Sequence, residues 1–335
     1  MATADFTPEI PPLHHESIYF QDGDIILSAL NDDGSKILFR AHKFILAHHS
    51  PVFMGMFTLP QPQATIHEGH SEVEGDGIQE VEMPDRAEDL ASLLSVLYDP
   101  SKLPYKHYNP DTPLLVKGIL TLATKYEIER LRDRIIEHIK LDWPTTLVEW
   151  DAIQAHNNQF AENSATSGLH EGFIQLEPAA AIDIARRFDI PSILPAAFLQ
   201  LSRTPARNRW DGMNRPNDPK VHHARWDLLS QNDLLCLLQG TQTLFASKTV
   251  KLISHDVCLN HPQCGEILDR ELECVRSRCV HSQDFLEELK TFTSTFSDNN
   301  NKLCALCTGP IRPLLINARQ RKWAKLSKYF NLRNL

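Results

Sequence analysis

Residues 22–57, DGDIILSALNDDGSKILFRAHKFILAHHSPVFMGMF, decide the fold. They read as strand, turn, strand, helix, helix. Ile25-Ile26-Leu27 is a short apolar run leading to Asn31-Asp32-Asp33-Gly34, a turn sequence whose glycine accepts positive φ. Residues 36–40 return as the second strand of a hairpin. Phe44, Ile45 and Leu46 then fall in a helix that starts near His42. Ser50 and Pro51 open the next helix, the serine as N-cap and the proline at the first helical position, where no N–H is needed. Val52, Phe53, Met56 and Phe57 give that helix an apolar face.

Around this stretch lies a chain of 335 residues, 42% hydrophobic, with room for two or three domains. A net charge of −9 with 23% charged residues suits a soluble protein and gives no global reason to expect nucleic-acid binding. The opening residues lack the basic and apolar regions of a secretory signal, and no apolar run reaches the ~20 residues of a membrane span. Seven cysteines in such a chain are expected as thiols or metal ligands in a reducing compartment, cytosol or nucleus.

In chain order, residues 1–18 are rich in proline and histidine and read as a flexible arm. Residues 60–77 form an acidic loop insertion after Leu59-Pro60, part of a run from Glu68 to Glu82 with no Lys or Arg. Residues 78–83 alternate as a strand. After Pro84-Asp85 a helix runs through Leu90, Leu93, Leu94 and Leu97 to Tyr98, and further helices cover about 114–126 and 129–141, so a first domain spans 19–143. LATKYEIERL at 122–131 is echoed by IARRFDIPSI at 184–193; each reads as a helix, a bend at an acidic residue and Ile, and a second helix. Residues 144–201 are helical, 202–224 read as an exposed loop or linker, and helices resume over 225–335, with Gly240 as a stop signal.

The order Phe39-x-x-His42-Lys43-x-x-Leu46-Ala47-x-x-Ser50-Pro51-x-Phe53-x-x-Met56-Phe57, preceded by Gly-Asp-Ile-Ile, resembles the core of a BTB/POZ domain. The layout is similar to the BTB proteins of mushroom-forming fungi, and residues 144–201 resemble a BACK-like extension. The fold expectation is therefore α+β, a BTB/POZ-like α/β N-terminal domain followed by an all-helical C-terminal region. The resemblance implies self-association as a homodimer, with Ile18, Tyr19 and Phe20 as apolar candidates, and an unidentified protein partner. It also implies a charged pocket near the dimer seam, onto which Asp24 and Lys43 map. BTB domains that recruit a cullin-type ubiquitin ligase often carry a hydrophobic-x-Glu motif after the Met-Phe helix; here the chain reads Thr58-Leu59-Pro60-Gln61-Pro62, without the Glu.

Six cysteines lie between Cys258 and Cys307. Zinc is held by four thiolate or imidazole ligands, usually as two short-range pairs. Cys304-x2-Cys307, with Thr308-Gly309-Pro310 expected as a tight turn, and Cys258-x5-Cys264 supply such a set, so one structural zinc is a candidate cofactor. Ordinary buried thiols are the competing reading. Cys274, on the apolar side of a helix, is expected in the core.

Catalytic arrangements are missing: no G-x-S-x-G, phosphate-cradling glycine loop or HExxH occurs, and the paired histidines, including His222-His223, read as surface groups. Residues 308–335 carry seven Lys or Arg and no acid, with Trp323, Leu326, Tyr329 and Phe330 at helical spacing. They read as a helix docked on the C-terminal region or as a tail that binds a partner or nucleic acid. The chain is thus expected to be a non-enzymatic, dimerising adaptor. A substrate receptor for a cullin-type ligase and a transcriptional regulator remain as alternatives, the latter disfavoured by the net charge.

Overall fold

The computed structural model describes residues 11–59, 78–167, 174–210, 221–246, 262–298 and 305–332. The hairpin forms where the apolar runs and the turn residues place it. β2 (Ile25–Leu30) and β3 (Lys36–Ala41) pair antiparallel, with Ile25 opposite Ala41 and Leu30 opposite Lys36. Gly34 turns the chain at φ 83°, a backbone region that strains residues with a Cβ. β1 (Leu13–Tyr19) adds parallel to β3 and β4 (Glu80–Arg86) parallel to β2, giving a four-stranded mixed sheet in the order β1-β3-β2-β4.

Contacts divide the chain into two units, Met1–Lys106 with Leu114–His138, and His107–Pro113 with Ile139–Leu335. The first holds the sheet, α1 (Lys43–His49), α2 (Pro51–Thr58), α3 (Ala87–Tyr98) and most of α4 (Thr112–Lys125) and α5 (Glu129–Leu141). Its core is aliphatic and aromatic: Ile25, Leu27, Phe39, Leu46, Phe53, Leu90, Leu93 and Leu94 are fully buried. Leu90, Leu93, Leu94 and Leu97 bury one stripe of α3, the i, i+3, i+4, i+7 pattern of an amphipathic helix.

The second unit is helical. Its centre is α7 (Pro178–Arg187) with α8 (Leu194–Ser202). Ala179, Ala180, Ala181, Ile182, Ile184 and Ala185 bury α7 nearly all round, as do Ala196 to Ser202 in α8. Around them lie α6 (Leu147–Ser167), α9 (Gln231–Ala246), α10 (Pro262–Ser282), α11 (Phe285–Asp298), α12 (Ala305–Ala324) and the short α13 (Leu326–Tyr329).

The echoed segments close their helices by one device. Glu127 and Asp189 both lie in the left-handed region, at φ 54° and 55°. Ile128 N–H reaches back to Ala123 O (2.8 Å) and Ile190 N–H to Ala185 O (2.9 Å). These are the six-to-one bonds of a Schellman ending, in which an acidic residue stands where glycine is usual.

Several expectations need correction. Residues 13–18, assigned to the flexible arm, belong to strand β1. The strand escapes notice because His14, His15, Glu16 and Ser17 face outward or to the edge and only Ile18 is buried. The described parts of 202–224 are not an exposed linker. Thr204 and Ala224 are buried, and Asn208 is bonded to its neighbours: Ala224 N–H and Trp226 Nε1–H donate to its carbonyl, and its amide donates to His222 O (3.0 Å). The polar composition there supplies bonding partners. Residues 144–201 and 225–335 share one unit. Helix α9 runs through Gly240 without stopping, because that glycine receives the ring of Phe330, which a Cβ would displace.

Candidate interaction surface

The geometry of the first unit's α1–α2 pair starts at Ser50. Its Oγ accepts the N–H of Phe53 (3.1 Å), the N-cap bond that Ser-Pro at a helix start leads one to expect. The same hydroxyl donates to Tyr126 O (2.6 Å), which pins the corner between the two helices to the end of α4. Phe53 is fully buried and stacks on Tyr126 at 4.6 Å between ring centres. The Tyr126 hydroxyl donates to Asp85, whose carboxylate also takes Lys125 at 2.6 Å. Burial and the neighbouring carboxylate push the Tyr126 hydroxyl far above its ordinary range, so it stays a proton donor.

With Phe53 committed inward, and Met56 and Phe57 half-buried beside it, the opposite face of α2 is turned out. Met54 is 52% exposed and Leu59, just beyond the helix, 64%. On α1, Phe44 is 78% exposed and lies along His48, one turn on, at 6.1 Å. Val52 is exposed as well. Large apolar side chains on two packed helices make a surface that water covers poorly. Sequence reading placed Phe44 and Val52 with the apolar faces of their helices. The available signal was His48, a polar residue one turn beyond Phe44 on the same side.

Asp24 and Lys43 come together through the Lys43 backbone. Asp24 is exposed and its Oδ1 accepts the backbone N–H of Lys43 (2.7 Å). The carboxylate thereby satisfies an orphan donor at the start of α1 and meets the positive end of its dipole, so it needs no ammonium partner. The Lys43 ammonium turns to Gln79 Oε1 (3.2 Å) and lies 5.8 Å from the Phe57 ring centre. Ile18, expected at a dimer surface, is buried in the first unit. Phe20 packs on Tyr98 at 4.5 Å.

Of the four cysteines proposed for zinc, Cys258 and Cys304 lie outside the described residues, as does the side chain of Cys307. Cys264 is a buried thiol on α10. The turn expected at Thr308-Gly309-Pro310 is helical, inside α12. Cys274 is exposed and Cys279 takes the inward position; burial pushes the Cys279 thiol up to about 12. Among the described residues no three His, Cys, Asp or Glu side chains are placed to hold a metal, and no helix is long and apolar enough to cross a membrane. His222, read as a surface group, has Nδ1 3.1 Å from Gln200 Nε2, and burial pushes its pKa down to about 3.

Comparison with curated proteins gave no match. A family model for the BTB/POZ domain matches residues 23–142, which takes in the hairpin, α1–α2, β4 and α3 to α5. Residues 23–142 of this chain are a BTB/POZ domain, a protein–protein interaction module.

Proposed function

We propose that the chain is a self-associating adaptor. Two copies join through the α1–α2 surface of the first unit, and the helical second unit receives a different protein. The observation that carries this reading is the exposure of Phe44, Met54 and Leu59 on α1–α2 while Phe53 is locked inside. Interfaces of permanent dimers are largely apolar and commonly bury more than ~2,000 Å². Their cores are enriched in aromatic residues and methionine. Asp24, bound to the start of α1, then acts by fixing that helix's direction.

Light scattering on the full chain should give twice the chain mass of 38.1 kDa. Phe44→Glu combined with Met54→Glu should return it to a single chain with unchanged helical circular dichroism. A monomer at micromolar concentration in the parent protein would sink the reading, and so would a double variant that still dimerises.

A further inference from the structure

A second exposed apolar feature lies in the second unit. A groove of about 320 Å³ runs between the start of α6, α11 and α12. Its apolar walls are Leu147 and Val148 on α6 and Ile316 on α12; Val148 is 78% exposed and Ile316 44%. Three cations also line it, Lys290, Arg312 and Arg319, against one carboxylate, Asp151. That carboxylate is already committed. Arg319 grips both its oxygens, one bond measuring 2.6 Å, while Arg319 Nε donates to Leu286 O (2.7 Å). Lys290 stands further off, 3.9 Å from Asp151 and 3.7 Å from Glu287. Arg312 is exposed and has no carboxylate partner among the described residues.

The groove is therefore apolar at its walls and positive at its rim, on a chain whose net charge is −9. Such a pairing suits a ligand that is apolar on one side and acidic beside it. Nucleic acid fits it poorly. Single-stranded nucleic acid is held by stacking bases on aromatic rings, and no aromatic side chain lines this groove. The nearby Trp323 is occupied, its indole N–H donating to Thr145 O (3.2 Å) and its ring 5.7 Å from Trp150. The basic C-terminal stretch is also less free than its composition suggests, since Arg319 and Lys322 are buried.

We propose that this groove docks a short acidic amphipathic helix of a partner protein. Leucine-type side chains would enter between Val148 and Ile316, and carboxylates would meet Arg312 and Lys290. The mode is a helix laid in a groove, with anchors one turn apart and a planar guanidinium for a carboxylate. The inference rests on the reading that the second unit receives a partner, and gives that partner its chemistry.

The test uses the full chain and a fluorescein-labelled helical peptide with two leucines one turn apart, flanked by glutamates. Fluorescence anisotropy should show saturable binding that weakens with added salt. Arg312→Glu and Ile316→Asp, both at exposed positions, should each weaken it about tenfold or more, whereas Arg312→Lys should retain most of it. A lysine-flanked counterpart should not bind. Absence of saturable binding overturns the proposal, as does equal binding of the lysine peptide or indifference to Arg312→Glu. Displacement of the peptide by an oligothymidine strand would also overturn it, in favour of nucleic acid. Groove variants should keep the dimer mass, and Phe44→Glu with Met54→Glu should keep peptide binding, so failure at one surface is told apart from failure at the other.

Discussion

Among the described residues, the first unit buries Ser28, Ser35 and Ser50 as its polar side chains, while the second buries Asp142, Glu177, Asp233, Asp284, Arg319 and Lys322. The difference follows from how each unit joins its segments. Strands of a sheet are tied sideways by backbone hydrogen bonds, so beyond fastening helix ends, as Ser50 and Asp24 do, the first unit needs few buried polar side chains. Helices spend their backbone bonds on themselves, and their ends leave unpaired donors and acceptors. In the second unit, carboxylates at helix starts collect arginines from elsewhere. Glu177 accepts the N–H groups of Ala179 (3.1 Å) and Ala180 (2.8 Å) at the start of α7, and that of Arg225 (2.9 Å). Asp233 and Ser230 cap α9 reciprocally, and Arg186 from the last turn of α7 joins Asp233 at 3.0 Å. Asp284 caps α11 through Glu287 N–H (3.1 Å) and takes Arg203, just past α8, at 2.6 Å. Two of these clasps thus link the negative end of one helix to the positive end of another, where each charge is also favoured by the dipole.

The largest expected effect belongs to the first unit. Phe53→Ala should cost about 3–5 kcal/mol, because a fully buried ring stacked on Tyr126 is removed and a cavity remains. Chemical denaturation should show that loss undiminished by salt. A cost under about 1 kcal/mol, or one that depends on ionic strength, would blur the contrast between the units.

The second unit should answer to charge instead. Lys322 is fully buried, its ammonium 2.5 Å from Leu244 O and 4.0 Å from the Phe285 ring centre, with no carboxylate beside it among the described residues. Burial pushes its pKa down to about 8. At neutral pH, Lys322→Met should be nearly neutral or stabilising, since a buried charge is exchanged for an apolar chain of similar size. Between about pH 8 and the ordinary lysine value near 10.4, the unfolded chain holds a proton that the folded chain has released. Stability of the parent relative to Lys322→Met should therefore rise across that window, by about 2 kcal/mol near pH 10. Cys279, raised to about 12, acts in the opposite sense in both proteins, and because its thiol and Lys322 influence one another the comparison is best made with Cys279→Ala in both. Parallel stability curves for the two proteins would refute this account of Lys322.

The smallest effect should be shared by both units. Glu127→Gly and Asp189→Gly each relieve a left-handed residue, worth about 1–2 kcal/mol. Glycine's freedom in the unfolded chain returns roughly 0.4–1 kcal/mol of that. Each variant should then be about 0.5 kcal/mol more stable by thermal or chemical unfolding. A destabilised variant would mean that the acidic side chain does more than tolerate its backbone.

The legible parts of the fold were those whose cause is local. Ser50-Pro51 announces a capped helix start, Asn31 to Gly34 a turn, and the echo at 122–131 and 184–193 a common helix ending; each involves residues within a few positions of one another. What escaped depends on distant partners. Asp24 caps a helix nineteen residues on by sequence separation, β1 is recognisable only through its pairing with β3, and the polar loop around Asn208 is ordered by Ala224 and Trp226. The candidate surface was half legible: apolar residues on α1 and α2 are plain in the sequence, but which of them face water is decided by Phe53 and Tyr126.

One contact in the second unit bears on how the chain can vary. Gly240 offers a notch in α9, and the fully buried Phe330 fills it. Any side chain at 240 evicts the ring, and any smaller residue at 330 leaves the notch empty. The two positions, far apart in sequence, are therefore inherited as a pair: a homologue with a bulkier residue at one is expected to carry a lighter one at the other.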